Sequence, residues 1–376
     1  MIPFNKPALV GNELSYIADS VTSGKISGDG KYTKKCNEFF EFKYGFKKVL
    51  LTTSCTDALE MSAILINISQ GDEVIAPSYT FVSTVNAFVL RGAKIVFADS
   101  SKDNPNIDPE HIESLITPKT KAIVVVHYAG ISCDMDKILD IAQKHRLYII
   151  EDAAQAIDSF YKGRKLGTIG DFGTFSFHET KNIISGEGGL LAVNNEKFVK
   201  RAEIIREKGT NRSSFFRGEV DKYGWVDIGS SFLPSDLNAA YLYGQLENLN
   251  LIQGKRKELW SKYFYLLKGL QERDLVTLPY IPDYATNNAH MFYLVCRSLS
   301  ERTALISYLK ENGVSAVFHY ISLHKSPYFG KKYQGEDLPN SDRYSDCLVR
   351  LPLYFDLTCS QVDLIAELVL DFFAKV

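Results

Sequence analysis

The chain has 376 residues, of which 45% are hydrophobic and 23% charged, with a formal net charge of −2. That length exceeds what a single core usually fills, so two units are expected, and the near-neutral balance excludes the basic footprint of a nucleic-acid-binding surface. No apolar run is long enough to span a bilayer, and Met1-Ile-Pro-Phe-Asn-Lys-Pro7 lacks a signal-peptide pattern, so no membrane contact and a cytoplasmic address are expected.

From Val49 to Val193, short β-branched or apolar runs alternate with amphipathic stretches, the pattern of βαβ units in a mainly parallel sheet. The predicted strands are Lys48–Leu51, Glu73–Ala76, Lys94–Ala98, Ala122–His127, Leu147–Glu151, Gly173–Phe177 and Gly189–Val193. Helices are predicted over Thr56–Ile68, just after a Thr-Ser-Cys-Thr turn, and over Met135–His145. Arg201–Gly229 is polar and carries Trp225 with several Tyr and Phe residues, and reads as a long functional loop. One long helix is expected over Pro234–Gly269 as a connector. Beyond it, strands Met291–Cys296 and Val314–Phe318 with helices Arg302–Asn312 and Ser360–Ala374 form a smaller α+β unit. The fold class is α/β, divided into a large unit over residues 1–247 and a small one over 248–376.

The six cysteines (Cys36, Cys55, Cys133, Cys296, Cys347, Cys359) form no C-x-x-C pair and accompany no histidine cluster. They are therefore expected to be reduced thiols, with no metal site.

Four groups have the chemistry that a pyridoxal phosphate site needs: an anion cradle, an acid for the pyridine nitrogen, a stacking ring and a lysine. Thr53-Ser54-Cys55-Thr56 lies between a strand and a helix, where free backbone N–H groups and the helix dipole converge on an anion; the same turn can also serve only as a cap. Asp152 closes a strand at the carboxyl end, where open sheets bind ligands or where an Asp caps the next helix. Gln155 follows one turn on, within reach of a phenolic oxygen. Tyr79, after a Pro turn, stacks on a ring or packs in the core. Lys181 follows strand Gly173–Phe177, where burial and the neighbouring His178 are expected to lower its pKa, and Ser176 adds a hydroxyl to the cradle.

Taken together, Gly71-Asp-Glu-Val-Ile-Ala-Pro-Ser-Tyr-Thr-Phe81, Glu151-Asp-Ala-Ala-Gln-Ala156, Gly167-Thr-Ile-Gly170, Phe175-Ser-Phe-His-Glu-Thr-Lys-Asn182, Gly186-Glu-Gly-Gly189 and Phe318-His-Tyr-Ile-Ser-Leu-His324 resemble the DegT/DnrJ/EryC1/StrS sugar-nucleotide aminotransferases over essentially the whole chain. The resemblance implies a fold type I, aspartate-aminotransferase-like architecture with a mainly parallel seven-stranded sheet, pyridoxal 5'-phosphate as cofactor, and a homodimer with shared active sites. It implies that Lys181 forms the Schiff base and that Asp152 pairs with the pyridinium. Gln155 would contact the phenolic oxygen and Tyr79 would stack. Ser54, Thr56, Ser176 and the N–H groups near Cys55 would hold the phosphate, with His178 beside the cofactor. A related dehydratase would have a histidine at position 181.

Two positions depart from the family pattern. Cys55 stands where a glycine is usual in the cradle. In Gly229-Ser-Ser-Phe-Leu-Pro-Ser235, Ser231 replaces an Asn that would reach a neighbouring subunit's phosphate, and Leu233 replaces an Arg. Arg206-Glu-Lys-Gly-Thr-Asn-Arg-Ser213, Phe215-Phe-Arg-Gly218 and Asp221-Lys-Tyr223 resemble the dTDP-4-amino-4,6-dideoxygalactose transaminases, which aminate dTDP-4-keto-6-deoxyglucose at C4 with glutamate as donor. The products of those enzymes enter enterobacterial common antigen or O-antigen sugars. Arg212, Lys222, Tyr223, His319, Tyr320 and His324 are the candidate substrate residues, and Arg201–Gly229 is the candidate for crossing between subunits.

Overall fold

In the computed structural model, which describes residues 1–375, α1 (Glu13–Thr22) and α2 (Lys31–Glu38) precede β1 (Val49–Thr52) and α3 (Cys55–Leu65). There follow β2 (Glu73–Pro77), α4 (Ser83–Val89), β3 (Lys94–Ala98), α5 (Pro109–Ser114), β4 (Thr120–Val126), α6 (Met135–His145) and β5 (Tyr148–Asp152). A small hairpin, β6 (Phe160–Tyr161) with β7 (Arg164–Lys165), leads to β8 (Phe172–Ser176) and β9 (Gly189–Val193).

Seven of these strands form one sheet in the order β1-β9-β8-β5-β4-β2-β3, parallel except where β9 pairs with β1 and β8. All seven predicted strands occur within a residue or two. The reason is visible in their side chains. Successive residues point to opposite faces, and both faces are covered. Leu51, Ile123, Val125, Leu190 and Ala192 pack into one apolar cluster, whereas Leu50, Ala122, Val124, Leu191 and Val193 pack into another. Strands buried on both sides read as continuous apolar runs.

Arg201–Gly229 is not all loop. It opens within α7 (Val199–Arg206) and contains α8 (Arg212–Phe216). The α7 pattern is masked by charge: Ala202 and Ile205 are its buried apolar contacts, while Arg201 is held on Asp227 at 2.7 Å and on the Leu65 carbonyl at 3.1 Å. The expected single helix over Pro234–Gly269 is two, α9 (Asp236–Glu247) and α10 (Leu249–Glu272). Asn248 parts them, leaving helical geometry (φ −102°, ψ 14°) and donating from its side chain to the Gly244 carbonyl over 2.9 Å.

The second sheet is β10 (Phe292–Val295), β12 (Leu348–Leu351) and β11 (Val317–Phe318), antiparallel in the order β10-β12-β11, with α11 (Leu299–Glu311), α12 (Pro339–Cys347) and α13 (Cys359–Ala374). The sequence did not single out β12, its central strand. A core of Leu259, Tyr263 and Leu267 from α10, Phe292, Val349 and Ile365 backs this sheet, and Ile2 joins it from the N-terminus. We propose the division into two units at the α9–α10 break, with the first residues of the chain returning to the second unit. No described helix is long and apolar enough to cross a membrane, and all six cysteines are free.

Candidate active site

A cavity of about 450 Å³ opens beyond the carboxyl ends of β4 and β5, walled by the N-terminus of α3 and the segment after β8, and closed by residues of the second sheet. Its floor begins with the turn after β1. Ser54 caps α3, its Oγ accepting from the Asp57 amide over 3.0 Å, which leaves its O–H to donate into the cavity that the residue lines. The Cys55 and Thr56 amides take no protein acceptor among the described residues and stand at the positive end of the helix dipole.

Thr56 Oγ1 donates to Ser83 Oγ over 2.8 Å, and both residues line the cavity with Ser176. Gly189 lets β9 run beneath this turn: a Cβ there would lie 2.2 Å from the Ser54 carbonyl carbon and 2.4 Å from the Cys55 nitrogen. Free amides, several hydroxyls and a backbone approach permitted by glycine fit a phosphate. Cys55 lines the same wall, and burial pushes its thiol pKa up, so it stands there as an uncharged group.

Asp152 is 6% exposed, accepting from Thr84 Oγ1 over 2.7 Å and from the Ala154 amide over 3.2 Å. Burial raises its carboxyl pKa, opposed by these hydrogen bonds and by the charge of Lys181. A cationic ring nitrogen is the partner such a carboxylate fits. Gln155 accepts from the Ala129 amide over 2.6 Å and donates to Tyr320 Oη over 3.1 Å, which fixes its amide at the cavity wall. Lys181 is half-buried and faces the cavity. Burial lowers its pKa, against the pull of the Asp152 carboxylate. His178 is not the cause: its ring engages Thr180 at 3.0 Å, with Glu187 3.8 Å away.

Tyr79 does not face the cavity. It is 1% exposed, donates to the His319 carbonyl over 2.6 Å, and packs among Tyr128, Tyr320 and Tyr344. Phe81, two residues on and 53% exposed, does line the cavity. Strand alternation would put residues 79 and 81 on one side; they part because Pro77 ends the strand and the turn resets the phase.

His319 and Tyr320 line the cavity, their rings stacked at 3.5 Å. His324 is instead a packing residue, 4% exposed with Nδ1 2.7 Å from Ser78 Oγ and Nε2 3.6 Å from Asp342. Arg212, Lys222, Tyr223 and Ser231 are exposed and lie outside the cavity of their own chain. Arg212 sits on Glu207 at 3.2 Å, and Ser231 bridges to the Glu207 backbone.

The sequence reading missed Thr84, His290 and Arg350. His290, beside Asn182 at 2.8 Å, is buried at the cavity wall, and burial with the charges of Lys181 and Arg350 keeps its pKa well below the usual value. Arg350 comes from β12. Its signal was present: in Leu348-Val-Arg-Leu-Pro-Leu353 it is the lone charge in an apolar run.

Comparison with known proteins agrees with this geometry. The profile of the DegT/DnrJ/EryC1/StrS aminotransferase family matches residues 7–370. The spore coat polysaccharide biosynthesis protein SpsC of Bacillus subtilis is 34% identical over 98% of this chain and 96% of its own. The uncharacterised protein MJ1066 of Methanocaldococcus jannaschii is 36% identical over 96% and 95%. Among solved structures, Spr1654 of Streptococcus pneumoniae, named as a sugar aminotransferase and solved in its PMP form, superposes with a TM-score of 0.93 at 26% identity over 100% of both chains; a PLP form of the same protein is known. The chain belongs to the DegT/DnrJ/EryC1/StrS aminotransferase family and is a pyridoxal-phosphate-dependent sugar aminotransferase.

Proposed function

We propose that the enzyme transfers the amino group of L-glutamate to C4 of dTDP-4-keto-6-deoxy-D-glucose, giving dTDP-4-amino-4,6-dideoxy-D-galactose and 2-oxoglutarate. The observation that carries the reaction type is one cavity shared by Lys181, Asp152 and the free amides of Cys55 and Thr56. The sugar rests on the resemblance of the segment from Arg206 to Tyr223, whose cations and aromatics suit a nucleoside diphosphate by charge and stacking.

When bound, the cofactor supplies an electron sink for the pair left when a substrate C–H bond breaks. Lys181 Nζ takes the proton from the amine-bearing carbon of glutamate in one half-reaction and delivers one to sugar C4 in the other. Asp152 stays ionised and holds the proton of the ring nitrogen. The Cys55 and Thr56 amides, with Ser54, Thr56, Ser83 and Ser176, would anchor the cofactor's phosphate, Gln155 would meet its phenolic oxygen, and Phe81 would pack on its ring. Donor and acceptor use the cavity in turn, so 2-oxoglutarate leaves before the keto sugar enters.

The same reading makes the enzyme a cytoplasmic homodimer. Arg212, Lys222, Tyr223 and Ser231, outside their own cavity, are assigned to a second copy's site, where Ser231 would reach the phosphate. Sedimentation at a mass of two chains is the outcome expected.

Incubation with dTDP-4-keto-6-deoxy-D-glucose and glutamate, followed by NMR of the product, tests the substrate. An axial amine at C4 is expected. An equatorial amine would replace the product by the gluco isomer, amination at C3 of a related keto sugar would move the site of attack, and unchanged substrate would reject the assignment.

A further inference from the structure

Asn182, the residue next to Lys181, lies in a buried network that joins it to α10 and to the start of the second sheet. Its Nδ2 donates to Gln253 Oε1 over 2.8 Å and to the Asn288 carbonyl over 2.9 Å. A carbonyl can only accept, so the orientation of the Asn182 amide is fixed and its Oδ1 is the acceptor left over. His290 Nδ1 stands 2.8 Å from that oxygen, and so Nδ1 carries the ring proton. The backbone of His290 is accounted for as well: its amide donates to Asn288 Oδ1 over 3.0 Å, and its carbonyl accepts from Arg256 Nη2 over 2.7 Å. Asn288 is anchored in turn on the Gln155 and Ile157 carbonyls, at 2.8 Å each. Nε2 has no partner among the described residues and is not sealed in, so it opens on the cavity that His290 lines. Burial and the charges of Lys181 and Arg350 keep the ring neutral. Nε2 is therefore a lone pair held in a fixed place at the cavity wall.

A buried acceptor selects a donor, because leaving it unmatched is costly. Glutamate brings two carboxylates, which only accept, and an amino group that is consumed in bonding to the cofactor. The proton on the cofactor's ring nitrogen belongs to Asp152. The keto sugar brings hydroxyl groups. His290 and Lys181 wall the same cavity, and the charge of Lys181 bears on the imidazole, so Nε2 stands near the reacting carbon. In dTDP-4-keto-6-deoxy-D-glucose the neighbours of C4 are C3, which bears a hydroxyl, and C5, which bears the methyl group and the ring oxygen. We propose that His290 Nε2 accepts a hydrogen bond from the C3 hydroxyl of the keto sugar, and so selects a 3-hydroxy sugar over its 3-deoxy analogue. This deepens the substrate reading given above and rests on it. Because the hydroxyl adjoins C4, the bond also fixes how the sugar ring is turned about the carbon that Lys181 serves.

The test pairs the 3-hydroxy sugar with its 3-deoxy analogue. Calorimetry reads the Kd of each amino-sugar product on the pyridoxamine form of the enzyme, with which an amine does not react, and kcat/KM is read for each keto sugar. The wild type should prefer the 3-hydroxy sugar by about tenfold in both measurements. His290→Asn keeps a side-chain N–H for Asn182 but places no acceptor where Nε2 stood. Its preference should fall to within about twofold, while the glutamate half-reaction, followed by cofactor absorbance, stays within about threefold of wild type. His290→Gln, whose amide reaches the place of Nε2, should keep part of the preference. A preference undiminished in His290→Asn would overturn the proposal, as would equal binding of the two sugars by the wild type. So would a glutamate half-reaction slowed as much as the sugar half-reaction, which would give the lone pair to Lys181. If His290→Asn does not fold, His290→Gln decides by the same pair of sugars, a reduced preference supporting the role and an unchanged one rejecting it. Failure of the wild type to turn over dTDP-4-keto-6-deoxy-D-glucose at all would instead reject the substrate reading.

Discussion

Thr84 Oγ1 donates to Oδ2 of Asp152 over 2.7 Å, tying the start of α4 to the end of β5 at the floor of the cavity. Burial raises the Asp152 carboxyl pKa and the Thr84 bond opposes that rise. The carboxyl acts ionised, so activity is lost as pH falls through its pKa. Thr84→Val removes a lowering interaction, and the acid limb of kcat/KM should move to higher pH by about one unit or less. Asp152→Asn should cost about a hundredfold or more in kcat, the scale expected when a fixed electrostatic partner is removed. A pH profile that is the same in Thr84→Val and wild type would dissociate this bond from the ionisation that matters.

The two aromatics of the segment after β2 should separate cleanly. Tyr79→Phe loses the bond to the His319 carbonyl and should destabilise the fold by about 0.5–1.5 kcal/mol in denaturant unfolding, with cofactor affinity unchanged. Phe81→Ala should weaken cofactor binding by about two- to tenfold and leave stability nearly unaltered, since the ring is half in solvent. The reverse pattern would restore Tyr79 as the stacking ring.

Glu151 explains why Gly167-Thr-Ile-Gly170 stands among the family motifs without touching the cavity. Its carboxylate accepts from the Gly167, Ile169 and Gly170 amides at 2.8, 2.6 and 2.6 Å, and from His127 Nε2 at 3.0 Å, with both side chains fully buried. His127 Nδ1 accepts from the Cys133 amide, which puts the ring proton on Nε2. Glu151→Gln would turn an NH₂ group toward N–H donors. We expect a loss of about 3 kcal/mol or more and a lowered Tm, and a variant of wild-type stability would contradict this role.

Gly189→Ala probes the cradle from below. A methyl group directed at the Ser54 and Cys55 backbone must push the turn out of place, costing about 1–3 kcal/mol. Cofactor affinity should fall with it, because the free amides move. Calorimetric titration with pyridoxal phosphate measures this, and unaltered affinity would remove those amides from the phosphate site.

These contacts show where the sequence was legible. The sheet was readable because β1, β4 and β9 bury both faces, and such strands are short apolar runs bounded by turns. Lys181, Asp152 and the Ser54–Thr56 turn were readable because each follows a strand at its carboxyl end. Which ring faces the cavity was not, since Tyr79 and Phe81 flank one residue in a turn whose path the sequence does not show. Arg350 on β12 and His290 just before β10 arrive from far along the chain, and only folding brings them to the cavity that Lys181 lines. His324 shows the converse: its motif is shared with His319, yet packing against Ser78 turns it away.

The central claim is that Lys181 bonds to the cofactor. Purified enzyme loaded with pyridoxal phosphate, reduced with borohydride and digested, should yield one peptide bearing a pyridoxyl group on Lys181, and Lys181→Ala should yield none. An unmodified Lys181 peptide from the reduced, cofactor-loaded wild type, or the group found on another lysine, would contradict it.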